Sequence, residues 1–157
     1  MTQIEENLIW GSKQMESKLL KNLLKENSKR ISTNDEGLLY RDLSYKVIGL
    51  AMEVHRKLGY GFLEKVYENA LMVLLQREVI EAKQQLPINV YFENVIVGEY
   101  VADILVESKI ILELKSIDKI TDVHRAQTLN YLKATRMRLA LILNFGKESL
   151  QHERLIF

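Results

Sequence analysis

The sequence predicts an α/β domain, a mixed β-sheet with helices packed against it, preceded by an N-terminal helical extension. Three observations predict it. Two apolar stripes at helical spacing run through residues 38–75. A block of alternating and apolar runs follows, opened by the only proline, Pro87. A further helical stretch then separates that block from a nearly all-apolar run at 138–145 and a short terminal one. The order is ααβββαβ with a short last strand. The boundaries fall at 1–37 for the extension and linker and at 38–157 for the domain.

The extension carries Met15, Leu19, Leu20, Leu23 and Leu24 at helical spacing among lysines and glutamates, an amphipathic pattern. "STNDEG" after it is rich in caps and turn formers. Residues 13–30 are therefore either a helix lying on the domain or frayed in solvent, or an arm for a protein partner or self-association. The first domain helix, 38–58, places Leu43, Val47, Leu50, Ala51, Val54 and Leu58 on one stripe. Gly59-Tyr60-Gly61 breaks it. The second places Leu63, Val66, Tyr67, Ala70, Leu71, Leu74 and Leu75 on its buried side.

"INVYFE" at 88–93 alternates as a strand does, and Glu93-Asn94 is the turn into "VIVGEYVADILVE". "KIILELKS" follows across a turn near Ser108. "DKITDVHRAQTLNYLKAT" returns to helix, and "RLALILNF" reads as an interior strand covered on both faces. "ERLIF" closes the domain.

Composition narrows the chemistry. The chain has 157 residues, and its 47% hydrophobic content suffices for a real core. It contains no cysteine, which removes disulfides, thiol catalysis and zinc-thiolate sites and suits a cytoplasmic setting. The N-terminus reads as neither a signal nor a transit peptide, and no apolar run reaches the roughly 18 residues of a membrane span. A net charge of +1 means that any nucleic-acid contact comes from a local patch. Gly146-Lys147 lacks the spacing of a phosphate-binding P-loop, His55, His124 and His152 lack zincin spacing, and no G-x-S-x-G elbow exists.

Three charges interrupt the apolar stretch 103–115: Asp103, Glu113 and Lys115. A hairpin turn centred on Ser108 sets Asp103 opposite Glu113, and opposite residues share a face. Lys115 is two residues from Glu113 and joins them. Ala102, Ile104, Leu112 and Leu114 then point the other way. Two adjacent carboxylates in water-poor surroundings repel, and one lysine compensates only one of them. A divalent cation resolves the remainder. Oxygen donors without sulfur or imidazole favour magnesium or manganese, which would activate water and polarise a phosphoryl oxygen. The same pattern also fits a cross-strand salt bridge on a solvated face.

D-x9-E-x-K on a hairpin resembles the signature of the PD-(D/E)XK nuclease superfamily. "GFLEKVY", with Gly61, Glu64 and Tyr67, resembles the motif of the bacterial GxxExxY proteins, and the likeness extends over about 38–157. The resemblance implies a restriction-endonuclease-like core. It implies that Asp103 and Glu113 are metal ligands, with the carbonyl of Leu114 facing the metal and Lys115 catalytic. Glu64 would be a further acidic ligand. Ala102 stands where many members have proline.

From the residues alone, Glu64 is also a helix-start glutamate favoured by the helix dipole, with Tyr67 on its face. His124, Gln127 and Tyr131 line one helical face. Q-x3-Y there resembles RecB-type nucleases, in which these residues lie beside the metal site, and His124 is a candidate base or phosphate ligand. Lys119, Arg125, Lys133, Arg136 and Arg138 are candidates for a phosphate-contacting rim or a plain solvated face. The expected function is that of a magnesium-dependent phosphodiesterase acting on DNA. The alternatives are a non-catalytic nucleic-acid- or protein-binding module within a larger complex, and an interaction protein that oligomerises through its first helix.

Overall fold

The computed structural model describes residues 39–157, so the amphipathic stretch at 13–30 and its linker lie outside the described residues. Helix α1 (Arg41–Leu58) buries Val47, Ile48, Leu50, Ala51 and Val54, an apolar stripe of helical period. Asp42 in the first turn and His55, Arg56 and Lys57 in the last complement its dipole. Gly59, with φ 71°, ends it. Helix α2 (Glu64–Arg77) follows a short loop and buries Tyr67, Glu68, Leu71, Leu74 and Leu75. Two expected core positions on this helix are instead exposed, Leu63 by 80% and Val66 by 39%. Glu68 lies inside because three donors satisfy it. At the end of α1, Leu58 is exposed as well.

Strands β1 (Ala82–Phe92) and β2 (Val95–Val106) form a long hairpin. Its turn residues Glu93 and Asn94 both have positive φ, 48° and 66°, the backbone hand that suits twisted hairpins. Strand β3 (Ile110–Lys115), helix α3 (Asp122–Thr135), and strands β4 (Leu139–Asn144) and β5 (Gln151–Ile156) complete the order. The sheet runs β1-β2-β3-β4-β5. Every neighbouring pair is antiparallel except β3 and β4. That parallel step needs a crossover, and α3 supplies it. The β region begins earlier than its proline: Pro87 sits within β1, paired with Val101. An edge strand tolerates a missing N–H, and β1 is an edge.

Strand β4 is buried throughout and β3 nearly so, as expected of a parallel pair covered on both faces. Ile111 and Ala140 pack with Tyr131 and Leu132 of α3. Leu112, Leu114, Leu141 and Leu143 alternate to the opposite face, which α1 and α2 cover. Ala102 departs from the expected alternation, since it packs in the cluster containing Tyr131 and Ile111. Five strands flanked by three helices among the described residues make an α/β domain consistent with a restriction-endonuclease-like core. No described helix is long and apolar enough to cross a membrane.

Candidate active site

The β2–β3 hairpin adopts the register that a turn centred on Ser108 dictates: Val106 pairs with Ile110, Leu105 with Ile111 and Ile104 with Leu112. There the ladder stops. Asp103 would face Glu113 next, but its Oδ2 accepts the Leu114 N–H at 2.7 Å. On its other side Asp103 meets a second irregularity. Gln85 has a φ of 55°, and the β1–β2 register passes from Gln84–Ile104 to Leu86–Ala102 without a Gln85–Asp103 pair. Strand β3 meanwhile stays paired with β4 as far as Lys115–Asn144. Asp103 thus occupies a gap in two ladders, where its carboxylate replaces a backbone acceptor.

Glu113 is 4% exposed, and its Oε1 is buried without a hydrogen-bond partner among the described residues. Its other oxygen lies 3.8 Å from the Lys115 ammonium. Burial, reinforced by the charge of Asp103 and only partly offset by Lys115, pushes the Glu113 carboxyl up to about 8. Burial also raises Asp103; the Leu114 N–H opposes the shift, and the charges of Glu68 and Glu64 add to it. Glu64 is exposed at the start of α2 and contributes to the negative field on both carboxylates. Among the described residues, however, no three His, Asp or Glu side chains converge to enclose a cation. The Asp103–Glu113 pair still fits a hard divalent ion: its donors are oxygens, and one buried oxygen is unpartnered.

Gly61 and Tyr67 shape the loop that precedes Glu64. Gly61 has φ 108°, a conformation in which side chains are strained. The Tyr67 hydroxyl donates to the Gly59 carbonyl at 2.7 Å and accepts the Phe62 N–H at 3.2 Å. Its ring is fully buried and stacks on Phe145 with centroids 4.5 Å apart. The Phe62 carbonyl accepts the Ser116 hydroxyl at 2.7 Å. Tyr67 thereby ties the loop that launches α2, and hence Glu64, to the segment leaving β3. It positions the site rather than lining it.

On α3 the three residues of the expected face separate. Gln127 Nε2 donates to the Tyr131 hydroxyl at 2.8 Å. Burial and then the charge of Glu113 raise the Tyr131 phenol, and the ring packs in one cluster with Ala102 and Ile111. His124 is engaged elsewhere: its Nδ1 accepts the Thr121 N–H at 3.0 Å and closes a capping box at the start of α3. Arg125 is not a free rim cation either. It is held by both oxygens of Glu153, each at 2.7 Å, and by Asp122 at 2.8 Å.

A sequence profile of the PD-(D/E)XK nuclease superfamily matches residues 41–155. The chain belongs to the PD-(D/E)XK nuclease superfamily. Members of this superfamily generally use divalent metals such as Mg2+. The solved structure described as "Crystal structure of SSO0001" is similar at 14% identity and a TM-score of 0.48, over 90% of this chain and 76% of that one. No curated protein matches the chain.

Within this PD-(D/E)XK domain, two supports were not legible as such in the sequence. Glu68 is buried and takes bonds from Lys65 at 3.0 Å, Gln84 at 2.8 Å and Gln85 at 3.0 Å. That network braces the irregular stretch of β1 beside Asp103. Asn144, fully buried at the end of an apolar strand, accepts the Ile117 and Gly146 N–H groups at 3.1 and 3.0 Å and donates to the Ile117 carbonyl at 3.0 Å. Gly146 leaves room for that contact, since a Cβ there would meet the Ile117 carbonyl oxygen at 2.2 Å. A lone amide in an all-apolar strand, followed closely by glycine, was the available signal.

Proposed function

We propose that the chain is a metal-dependent phosphodiesterase acting on DNA, built on the Asp103, Glu113 and Lys115 site, and that it is one of the GxxExxY proteins, whose motif its Gly61, Glu64 and Tyr67 match. The observation that carries the hydrolytic reading is the unpartnered Oε1 of Glu113, buried beside Asp103. A buried carboxylate oxygen without a partner is costly, and a cation shared with Asp103 relieves both that cost and the mutual repulsion. Asp103 and Glu113 would hold the ion, with the Leu114 carbonyl in reach of the same position. A magnesium or manganese ion bound there would supply Lewis acidity toward a phosphoryl oxygen and make water more acidic.

The chain's own residues supply the rest. The Leu114 N–H fixes the Asp103 carboxylate, so that its second oxygen is presented in a set direction. Lys115 lies close enough to Glu113 to offset charge, and its ammonium would orient the attacking water or steady charge on the phosphate. Glu64 would lend negative charge from the mouth of the site. Gln127 and Tyr131 would wall it on the α3 side.

A second reading, a nucleic-acid- or protein-binding module that does not cut, is favoured by the near-neutral balance of the chain, a net charge of +1. Manganese calorimetry and a magnesium-dependent cleavage assay on single- and double-stranded DNA and RNA separate the two. The hydrolytic reading expects binding that Asp103→Asn or Glu113→Gln removes, and cleavage that Lys115→Ala removes without removing the metal. Metal binding with no cleavage of any substrate supports the module instead.

A further inference from the structure

A groove of about 1010 Å³ lies between the β1–β2 hairpin and α3. The hairpin contributes Tyr91 and Tyr100, which are 61% and 47% exposed. The helix contributes Tyr131, whose ring lies 5.8 Å from that of Tyr100. Lys133 and Arg136 also line it, and neither has an ion-pair partner among the described residues. No carboxylate is among the described residues that line the groove. On a chain of net charge +1 this is a local cationic, aromatic channel rather than a share of a generally basic surface. At its inner wall Tyr131 packs in one cluster with Ala102, which adjoins Asp103 in sequence, and with Ile111 of β3.

We infer that this groove holds single-stranded nucleic acid, with bases stacked on Tyr91 and Tyr100 and phosphates met by Lys133 and Arg136, and that it delivers the strand to the carboxylate pair. The inference rests on the hydrolytic reading above for its purpose, not for its binding test. Every base has a face that stacks on an aromatic ring once it leaves a duplex, whereas a duplex hides those faces. Exposed rings in a concave site, next to unpaired cations, match the first arrangement. The polar side chains Asn89, Gln127 and Asn130 add donors and acceptors without adding negative charge.

The test uses the full chain with EDTA present, so that binding is read apart from cleavage. Fluorescence anisotropy follows a labelled oligothymidylate of about 20 nucleotides and a hairpin duplex of equal length. The single strand is expected to bind at least about tenfold more tightly. Tyr91→Leu with Tyr100→Leu, checked for an unchanged thermal melt, is expected to weaken it by about tenfold or more. Lys133→Gln with Arg136→Gln is expected to reduce the slope of log affinity against log salt by about 1.4, the share of two phosphates on a single strand. Equal affinity for the duplex, or folded double variants that bind oligothymidylate as the parent does, overturns the inference. Cleavage by the parent with no such dependence refutes the groove alone. Groove-dependent binding without cleavage in magnesium supports the groove and counts against the hydrolytic reading.

Discussion

The Asp103 carboxylate accepts the backbone N–H of Leu114 at 2.7 Å, one residue beyond the point where it would have faced Glu113. A side chain thus stands in for a strand's carbonyl just where β2 and β3 part. The residue offered as a cation ligand also satisfies a backbone donor at the sheet's opening.

Two substitutions at Asp103 should therefore differ. Asp103→Ala strands the Leu114 N–H and is expected to cost about 1–3 kcal/mol of stability. Asp103→Asn keeps an acceptor and should cost much less, while both abolish manganese binding. Urea titration with calorimetry checks the pair, and equal destabilisation by both would remove this account of the splayed hairpin.

The pH dependence follows from Glu113. Its folded-state pKa is raised to about 8, so folding favours the protonated acid. In the metal-free protein that contribution is complete below the ordinary glutamate range and is lost as pH rises through about 8. Asp103, also raised, acts in the same sense. The metal-free protein should lose stability between about pH 5 and pH 9, by a few kcal/mol at most, and Glu113→Gln should flatten the profile.

Metal binding should run the opposite way. A cation competes with the Glu113 proton, so manganese affinity is expected to rise about tenfold per pH unit from roughly pH 6 to pH 8. Calorimetry in buffers of different ionisation heats would count the released proton. Affinity independent of pH across that window would mean that Glu113 is not a ligand.

Tyr67→Phe keeps the stack on Phe145 but deletes the bonds to Gly59 and Phe62. A loss of about 1–3 kcal/mol is expected, together with weaker cleavage because the loop preceding Glu64 is released. If Tyr67 only positions, manganese affinity should fall far less than it does in Glu113→Gln.

Gly146→Ala should destabilise by about 1–3 kcal/mol or more, because its Cβ collides with the Ile117 backbone. Gly49, which has open space around a Cβ and lies within α1, is the control. Gly49→Ala should stabilise by about 0.5–1 kcal/mol. Thermal melts of the two variants should move in opposite directions.

The apolar periodicities determined the element order and the interior placement of β4, because each depends on spacing along one chain, and the hairpin register followed once the turn was centred on Ser108. The D-x9-E-x-K interval likewise carried Asp103, Glu113 and Lys115 to neighbouring strands. What only the tertiary structure decided depends on contacts between distant segments. It bound Arg125 to Glu153, an outcome that helical spacing leaves open. It buried Glu68, because Gln84 and Gln85, some sixteen residues away, join Lys65 as donors. It also turned Asn144 and Gly146 into a clamp on Ile117, since local sequence does not say which backbone will approach within hydrogen-bond reach.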